Sequence, residues 1–479
     1  MKRLVYFCTL IVALGVSAQD KEAVNIAKTI KIADLKNHLS IIASDEYEGR
    51  ETGKKGQKMA AEYIANYFKK LGLEGPVDGT YLQKFDLYEL SVSEAYLRKG
   101  SDKKIGPEDF IYYSRAETSG EEEINLIMEG DSVEYKNKYV VVYTDKFLGL
   151  QELAQKYTDS GALGVMMVLQ NDEMYEGFKQ GFSSRLKRRR LSFVEQNNNT
   201  KLMVVNKDFI SWIYDKPSNE INPGDRSTVV LNAKYEAKPI ETENVLGYLK
   251  GSEKPEELLI ITAHYDHIGI KNDLIHNGAD DDGSGTVTIL ELAEAFTLAA
   301  SEGNRPKRSI LFMTVTGEEK GLLGSSQYTD NDPIFPLENT VTNLNIDMIG
   351  RIDNAHEENS NYIYLIGSDK LSQDLHDLSE EVNKTYINME LDYTYNDVDD
   401  PNRYYYRSDH YNFAKNNIPV IFYFNGTHKD YHRSTDTIDK IDFTLLQKRA
   451  RLVFHTAWEI ANRENRIEVD RERPEAEGN

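Results

Sequence analysis

The residues of this chain that can do chemistry stand at the ends of apolar runs. LLIITA, from Leu258, delivers His264, Asp266 and His267, and after a loop come Asp280, Asp281 and Asp282 beside Gly283 and Gly285. SILFMTVTG runs into Glu318 and Glu319, LNIDMIG carries Asp347, and PVIFYF is followed by His432 in KDYHRSTDT. One at a time these signals are weak, because a histidine or aspartate at a strand end is commonly structural and a Glu-Glu pair is commonly surface charge. Together, His264, Asp281, Glu319, Asp347 and His432 are the number and kind of ligands that two divalent cations need. If Asp281 bridges, one ion takes His264 and Asp347, the other takes Glu319 and His432, and a shared water completes four-coordination at both. Asp347, flanked by Ile346 and Met348, is costly to bury unless it is paired or metal-bound. Side chains two apart on a strand face the same way, so Asp266 can hold the far side of the His264 imidazole.

Such residues need a frame. From Glu241 on, VLGYLKG, LLIITAH, SILFMTVTG, LNIDMIG, YIYLIG and PVIFYF read as strands, separated by helical segments such as Thr286 to Ala300. Near-continuous apolar strands alternating with helices predict an α/β fold, a mainly parallel mixed sheet flanked by helices, with its site at the strands' C-terminal ends. Upstream, Met59, Ala60, Tyr63, Ile64, Tyr67 and Phe68 recur at helical spacing until Gly72. The preceding DEYEGRETGKKG reads as a charged, solvated connection. Residues 139 to 168 read as strand, helix, GALG turn and strand, a βαβ-like unit with none of the metal-type residues. Near it, Arg185, Lys187, Arg188, Arg189 and Arg190 read as a solvated basic loop, with an anion-binding or substrate-guiding patch as the alternative. The charged tail from Asn465 is expected to be frayed or disordered.

The chain has 479 residues, 40% of them hydrophobic, enough for about two domains. A formal net charge of −22 argues against nucleic acid as a partner. Residues 1 to 18 combine Lys2 and Arg3, an apolar run from Leu4 to Val16, and small residues Ser17 and Ala18, which reads as a secretory signal peptide cleaved near Ala18. That run is short for a membrane span, so a secreted or periplasmic location without a stable membrane span is expected. The single cysteine, Cys8, lies inside it, leaving a mature chain with neither disulfides nor thiolate ligands.

The segments AHYDH, GADDDGSG, TGEEKGLLGS, NIDMIG and YHRSTDT resemble the M28 family of co-catalytic zinc aminopeptidases, including its secreted bacterial members, across residues 33 to 115 and 241 to 460. Residues 118 to 235 resemble a protease-associated (PA) domain. The resemblance implies the zinc-peptidase fold with an inserted PA domain: signal peptide 1–18, peptidase 19–117, PA-like insert 118–235 for substrate or protein contact, peptidase core 236–464 and tail 465–479. It implies two Zn²⁺ on His264, Asp281, Glu319, Asp347 and His432, with Asp281 bridging and Asp266 steering His264. It makes Glu318 the general base and Tyr431 a hydrogen-bond donor to the developing oxyanion, and SDHYNF from Ser408 to Phe413 also matches. The implied substrate is a peptide with a free N-terminal amine, to which Asp280, Asp282 and Glu318 would offer negative charge. A carboxypeptidase of the same fold is the alternative; a one-zinc glutaminyl cyclase or a metal-free binding protein would not need the full ligand set.

Overall fold

The computed structural model describes residues 19–114, 116–146, 149–186, 190–193 and 200–472, so residues 1 to 18, expected to be a signal peptide, and most of the basic run lie outside the described residues. The chain divides into two compact units, one running to Phe85 and resuming at Thr242, the other Asp86–Glu241.

In the first unit the alternation of apolar strands and helices gives the expected sheet. Its strand order is Glu390–Asp392, Tyr362–Ile366, Val420–Phe424, Thr340–Ile346, Lys254–His264, Arg308–Val315 and the end of Arg226–Leu249. The four strands beginning at Val420, Thr340, Lys254 and Arg308 are mutually parallel, whereas Tyr362–Ile366 and the Val245–Leu249 segment run antiparallel to their inner neighbours. Every residue of Arg308–Val315 and Thr340–Ile346 is buried, as a sheet covered on both faces requires. One face packs on the helices Ile32–Ile42, Lys55–Leu71, Gly285–Ser301 and Phe443–Asn462 through Leu39, Ile64, Leu290, Phe296, Phe454 and Trp458. Gly72, at φ +78°, ends Lys55–Leu71 in the left-handed conformation that closes a helix cheaply only with glycine.

Two expectations fail here. The tail is docked as far as it is described: Ile467 is buried, Arg466 donates to the carbonyls of Glu338 and Thr340, and the Asp470 amide donates to that of Leu371. A short run of charges around one isoleucine carries no periodic signal, yet it closes the strand ends beneath it. DEYEGRETGKKG is likewise no solvated connection, since Arg50, Thr52 and Gly49 are buried. Gly49, at φ +65°, passes so close to His276 that an added Cβ would lie 2.2 Å from its carbonyl oxygen.

The helix Gly285–Ser301 buries an acid. Burial pushes the Glu291 carboxyl from 4.5 up to about 8, with Glu294 and Asp34 adding to the shift and the Lys31 amide opposing it. Below pH 4.5 folded and unfolded states are both protonated; between 4.5 and 8 only the unfolded chain ionises, so this group's relative stabilisation of the fold is lost as pH rises through that window. Glu291→Gln is therefore expected to leave stability unchanged near pH 4.5 and to raise it by about 2–4 kcal/mol at pH 8.5. Denaturation of both proteins across this range checks it, and a pH-independent difference would refute it.

The second unit is an α/β sandwich of its own. Its strand order is residues 226–241, Glu122–Met128, Tyr139–Thr144, Gly164–Leu169, Lys201–Val205 and Ile111–Tyr112, with the middle four parallel. The helix Leu150–Asp159 covers one face through Ala154 and Tyr157, and Lys207–Tyr214 the other through Phe209 and Ile213. The unit starts at Asp86, before the boundary at 118 that the PA-domain resemblance implies, because Ala95, Leu97, Phe110 and Tyr112 belong to its core.

Candidate metal centre

The predicted residues converge at the C-terminal edge of the central strands. His264 ends Lys254–His264, Asp347 follows Thr340–Ile346, and Glu318 and Glu319 follow Arg308–Val315. Asp281 lies in the turn Ala279–Ser284 that opens the helix Gly285–Ser301, and His432 in the loop after Val420–Phe424. The turn begins at Gly278, whose φ of +56° and approach to Asp281 leave no room for a side chain: a Cβ would lie 2.2 Å from the Asp281 carbonyl oxygen.

Asp281 divides its carboxylate between two clusters. Oδ1 lies 3.3 Å from His264 Nε2, which is in turn 3.5 Å from Asp347 Oδ1. Oδ2 lies 3.2 Å from His432 Nε2, which is 3.3 Å from Glu319 Oε2. A further imidazole, that of the fully buried His267, stands 2.9 Å from Glu319 Oε1 and 3.8 Å from Asp281 Oδ2 through Nδ1. His264 Nε2, His267 Nδ1, Asp281 Oδ2 and Glu319 Oε1 are buried without a hydrogen-bond partner. Donor atoms this close that do not hydrogen-bond to one another, in two groups of three, His264–Asp281–Asp347 and His267–Asp281–Glu319, fit a pair of divalent cations. The field agrees. Burial disfavours charge on His432, but Asp281 and Glu319 outweigh it and hold the imidazole up at about 10, while the same imidazole and that of His267 hold Glu319 down at about 2 against burial and Asp281.

The outer contacts explain the geometry and correct one expectation. His264 Nδ1 donates to the main-chain carbonyl of Asp266 (2.9 Å), whose carboxylate lies 3.9 Å away. The Asp266 side chain instead accepts from Thr52 Oγ1 (2.8 Å) and from the Glu318 amide (3.2 Å), so it fixes the backbone that presents Glu318. Asp347 Oδ2 accepts from Ser408 Oγ (2.7 Å), itself held by Asn345, and this gives SDHYNF its place in the site. Asp280 and Asp282, expected to face a substrate ammonium, are fully buried and committed elsewhere. Asp280 accepts from the Gly350 amide and faces His428; Asp282 accepts from the amides of His264, Gly285 and Met348.

Glu318 stands apart from these pairs. Its Oε2 is 4.0 Å from His264 Nε2, and its carboxyl is pushed well above the usual range by burial, with Asp347 and Glu319 adding and His264 opposing. Tyr431 stacks on His432 at a centroid distance of 3.9 Å, and burial beside Asp281, Glu318 and Glu319 keeps its phenol protonated. Asp430, held by Lys440, Thr435 and Arg351, anchors the loop that carries both.

Two contributors escape a reading of the sequence. Arg50 donates to the carbonyls of Tyr265, Ile42, Asn277 and Gly278, tying the loop at 45–50 beneath the turn that carries Asp281. His267 is visible in AHYDH, but its spacing from His264 gives no reason to prefer it over His432.

Residues 244–457 match the family model for Peptidase family M28. That segment belongs to the M28 family. It contains all five expected ligands, Asp266, Glu318 and Tyr431; residues 33 to 115 lie outside it. Relatives of the chain include a probable aminopeptidase of Saccharomyces cerevisiae, YDR415C, 27% identical over 239 residues, 48% of this chain and 60% of that protein. The chain thus spans less than two thirds of that relative, and only 20% and 22% of two further curated ones. Among solved structures, an aminopeptidase from Aneurinibacillus sp. strain AM-1 shares the fold with a TM-score of 0.56 at 18% identity, covering 95% of this chain and 100% of that one. The zinc aminopeptidase BSAP from Bacillus subtilis does so at 0.51 and 19%, covering 91% and 96%. The M28 fold is the expected mainly parallel mixed sheet flanked by helices.

Proposed function

We propose that this chain is a zinc-dependent metallo-exopeptidase, an aminopeptidase that removes N-terminal residues from peptides with two Zn²⁺ per chain. The observation that carries the reading is the split Asp281 carboxylate, with buried, unpartnered donors on both of its sides. His264, Asp281 and Asp347 would hold one ion, and Asp281, Glu319 and His432 the other, with His267 as a further donor. Bound zinc would supply Lewis-acid polarisation of the scissile carbonyl and a more acidic water. Glu318 takes the proton of the attacking water and returns it to the leaving amine, a task that suits a carboxyl whose proton affinity burial raises above the usual carboxylate range. Its amide is pinned by Asp266, so the carboxylate is presented from a fixed backbone. Tyr431 keeps its proton and donates a hydrogen bond to the tetrahedral oxyanion.

The peptidase reading extends to placement in the cell. Residues 1 to 18 direct export to the periplasm or the medium, and the 118–235 region is a PA-like module contacting substrate or protein. No described helix is long and apolar enough to cross a membrane.

A chelator is expected to abolish peptidase activity and Zn²⁺ to restore it, with peptides bearing a free N-terminus cleaved and N-acetylated ones spared. Full activity after exhaustive chelation would refute metal dependence; rapid cleavage of N-acetylated peptides from the C-terminal end would make the enzyme a carboxypeptidase. His267→Ala separately tests the further donor. It should lower zinc affinity at one of the two positions by at least the ~10–100-fold that loss of an outer partner costs, and an unchanged affinity would remove His267 from the ligand set.

A further inference from the structure

A second cluster of metal-type side chains stands at the sheet edge formed by Glu390–Asp392, on elements that supply none of the residues around Asp281. Glu390 and Asp392 are two apart on this strand and face the same way, paired in register with Tyr362 and Tyr364 of the next. His356, from the turn Asn354–His356, brings Nε2 to 3.2 Å from Asp392 Oδ2, and one donor atom from each of His356, Glu390 and Asp392 lies within 4.8 Å of the others.

The remaining atoms of the trio are already held. His356 Nδ1 donates to Asp353 Oδ1 (2.8 Å), and the ring stacks on Tyr362 at a centroid distance of 3.4 Å and an angle of 5°. Asp353 is fixed by the Tyr364 hydroxyl (2.7 Å). Asp392 Oδ1 accepts from the Thr394 amide (2.7 Å), and Glu390 Oε2 from Asn359 Nδ2 (2.7 Å). A carboxylate behind an imidazole, and a partner on the far oxygen of each carboxylate, is how proteins orient metal ligands. The free sides face one another, with His356 Nε2 3.2 Å from Asp392 Oδ2. Among the described residues, Asp353 and Asp392 form ion pairs only with His356, and Glu390 forms none, so no lysine or arginine neutralises the cluster.

We propose that His356, Glu390 and Asp392 are a third divalent-metal site, separate from the peptidase centre. One imidazole and two carboxylates without a thiolate suit Zn²⁺ or a neighbouring transition ion rather than Ca²⁺ or Mg²⁺, and water fills the remaining positions. Glu390 is exposed, which gives the ion a way in. Bound there, the ion ties the edge strand to the turn at 354–356 and occupies an edge that is otherwise open to pairing.

Zinc content of the full-length protein, equilibrated against graded free Zn²⁺, tests this. Wild type is expected to hold one zinc per chain more than His356→Ala or Asp392→Asn, to gain a larger zinc-dependent rise in unfolding temperature than either variant, and to match them in peptidase activity. Asp392→Asn keeps the side-chain volume, so it decides the matter should His356→Ala fail to fold. Equal zinc content in wild type and variants at every free concentration would overturn the proposal and leave an imidazolium held by carboxylates. The one-zinc difference is read whether or not the protein cleaves peptides, so failure of the peptidase reading and failure of this one are told apart.

Discussion

Glu318→Gln is expected to keep both zinc ions and to lower kcat by about 10²–10⁴-fold with little change in KM, the signature of losing a proton-transfer group rather than a binding contact. The neighbouring change, Glu319→Gln, should do the reverse: it weakens one zinc position, and its activity recovers in part at high Zn²⁺. The two glutamates follow the same strand, but their surroundings separate them. Glu319 offers Oε1 to His267 and Oε2 to His432, so both of its oxygens face imidazoles. Glu318 approaches only His264, at 4.0 Å, and its carboxyl is raised by burial where that of Glu319 is held down. A group that must accept a proton and give it back cannot also be locked onto a cation. Zinc content and steady-state kinetics on the two variants decide it; if Glu318→Gln loses zinc while Glu319→Gln keeps it, the roles are exchanged.

The strand-borne part of the site is legible in the sequence. An apolar run such as LLIITA or SILFMTV reports its own burial, so a polar residue at its end has a position as well as a chemistry, and the sheet brings the ends together. The failures share a different cause. DEYEGRETGKKG has the composition of a solvated loop and no periodicity; it is buried because its Arg50 guanidinium is satisfied by four carbonyl oxygens outside the segment, those of Ile42, Tyr265, Asn277 and Gly278. Asp280 and Asp282 look like substrate contacts in the sequence because nothing local reveals that the Gly350, Met348 and His264 amides point at them. Asp266 has the expected neighbour but meets it through a different atom, since spacing along a strand does not separate a carboxylate from the carbonyl beside it. In the first two cases the partner is distant in sequence, and local patterns report only near ones.

Arg50→Met is expected to cost about 3–5 kcal/mol of stability, the range for breaking a buried charged network by removing one member. The guanidinium is fully buried and reaches the carbonyls of Ile42, Tyr265, Asn277 and Gly278, two of which flank the turn that carries Asp281. Methionine fills the volume and donates nothing, so these acceptors lose their partner, at about 1–3 kcal/mol for each that no water can reach. The charge matters too. Burial pulls the guanidinium down to about 10, yet Asp266, Asp282, Asp281 and Asp436 keep it charged at neutral pH, so its loss removes a cation from a strongly acidic centre. Zinc should therefore recover part of the lost stability, because the ions supply positive charge to the same carboxylates. Arg50→Lys tests geometry against charge: a single ammonium cannot span four acceptors, so it should fall between wild type and Arg50→Met. Denaturation with and without saturating Zn²⁺ measures all three proteins. A loss below about 1 kcal/mol for Arg50→Met, the scale of an ordinary surface contact, would mean that the loop is held by its other contacts and that the guanidinium is a passenger.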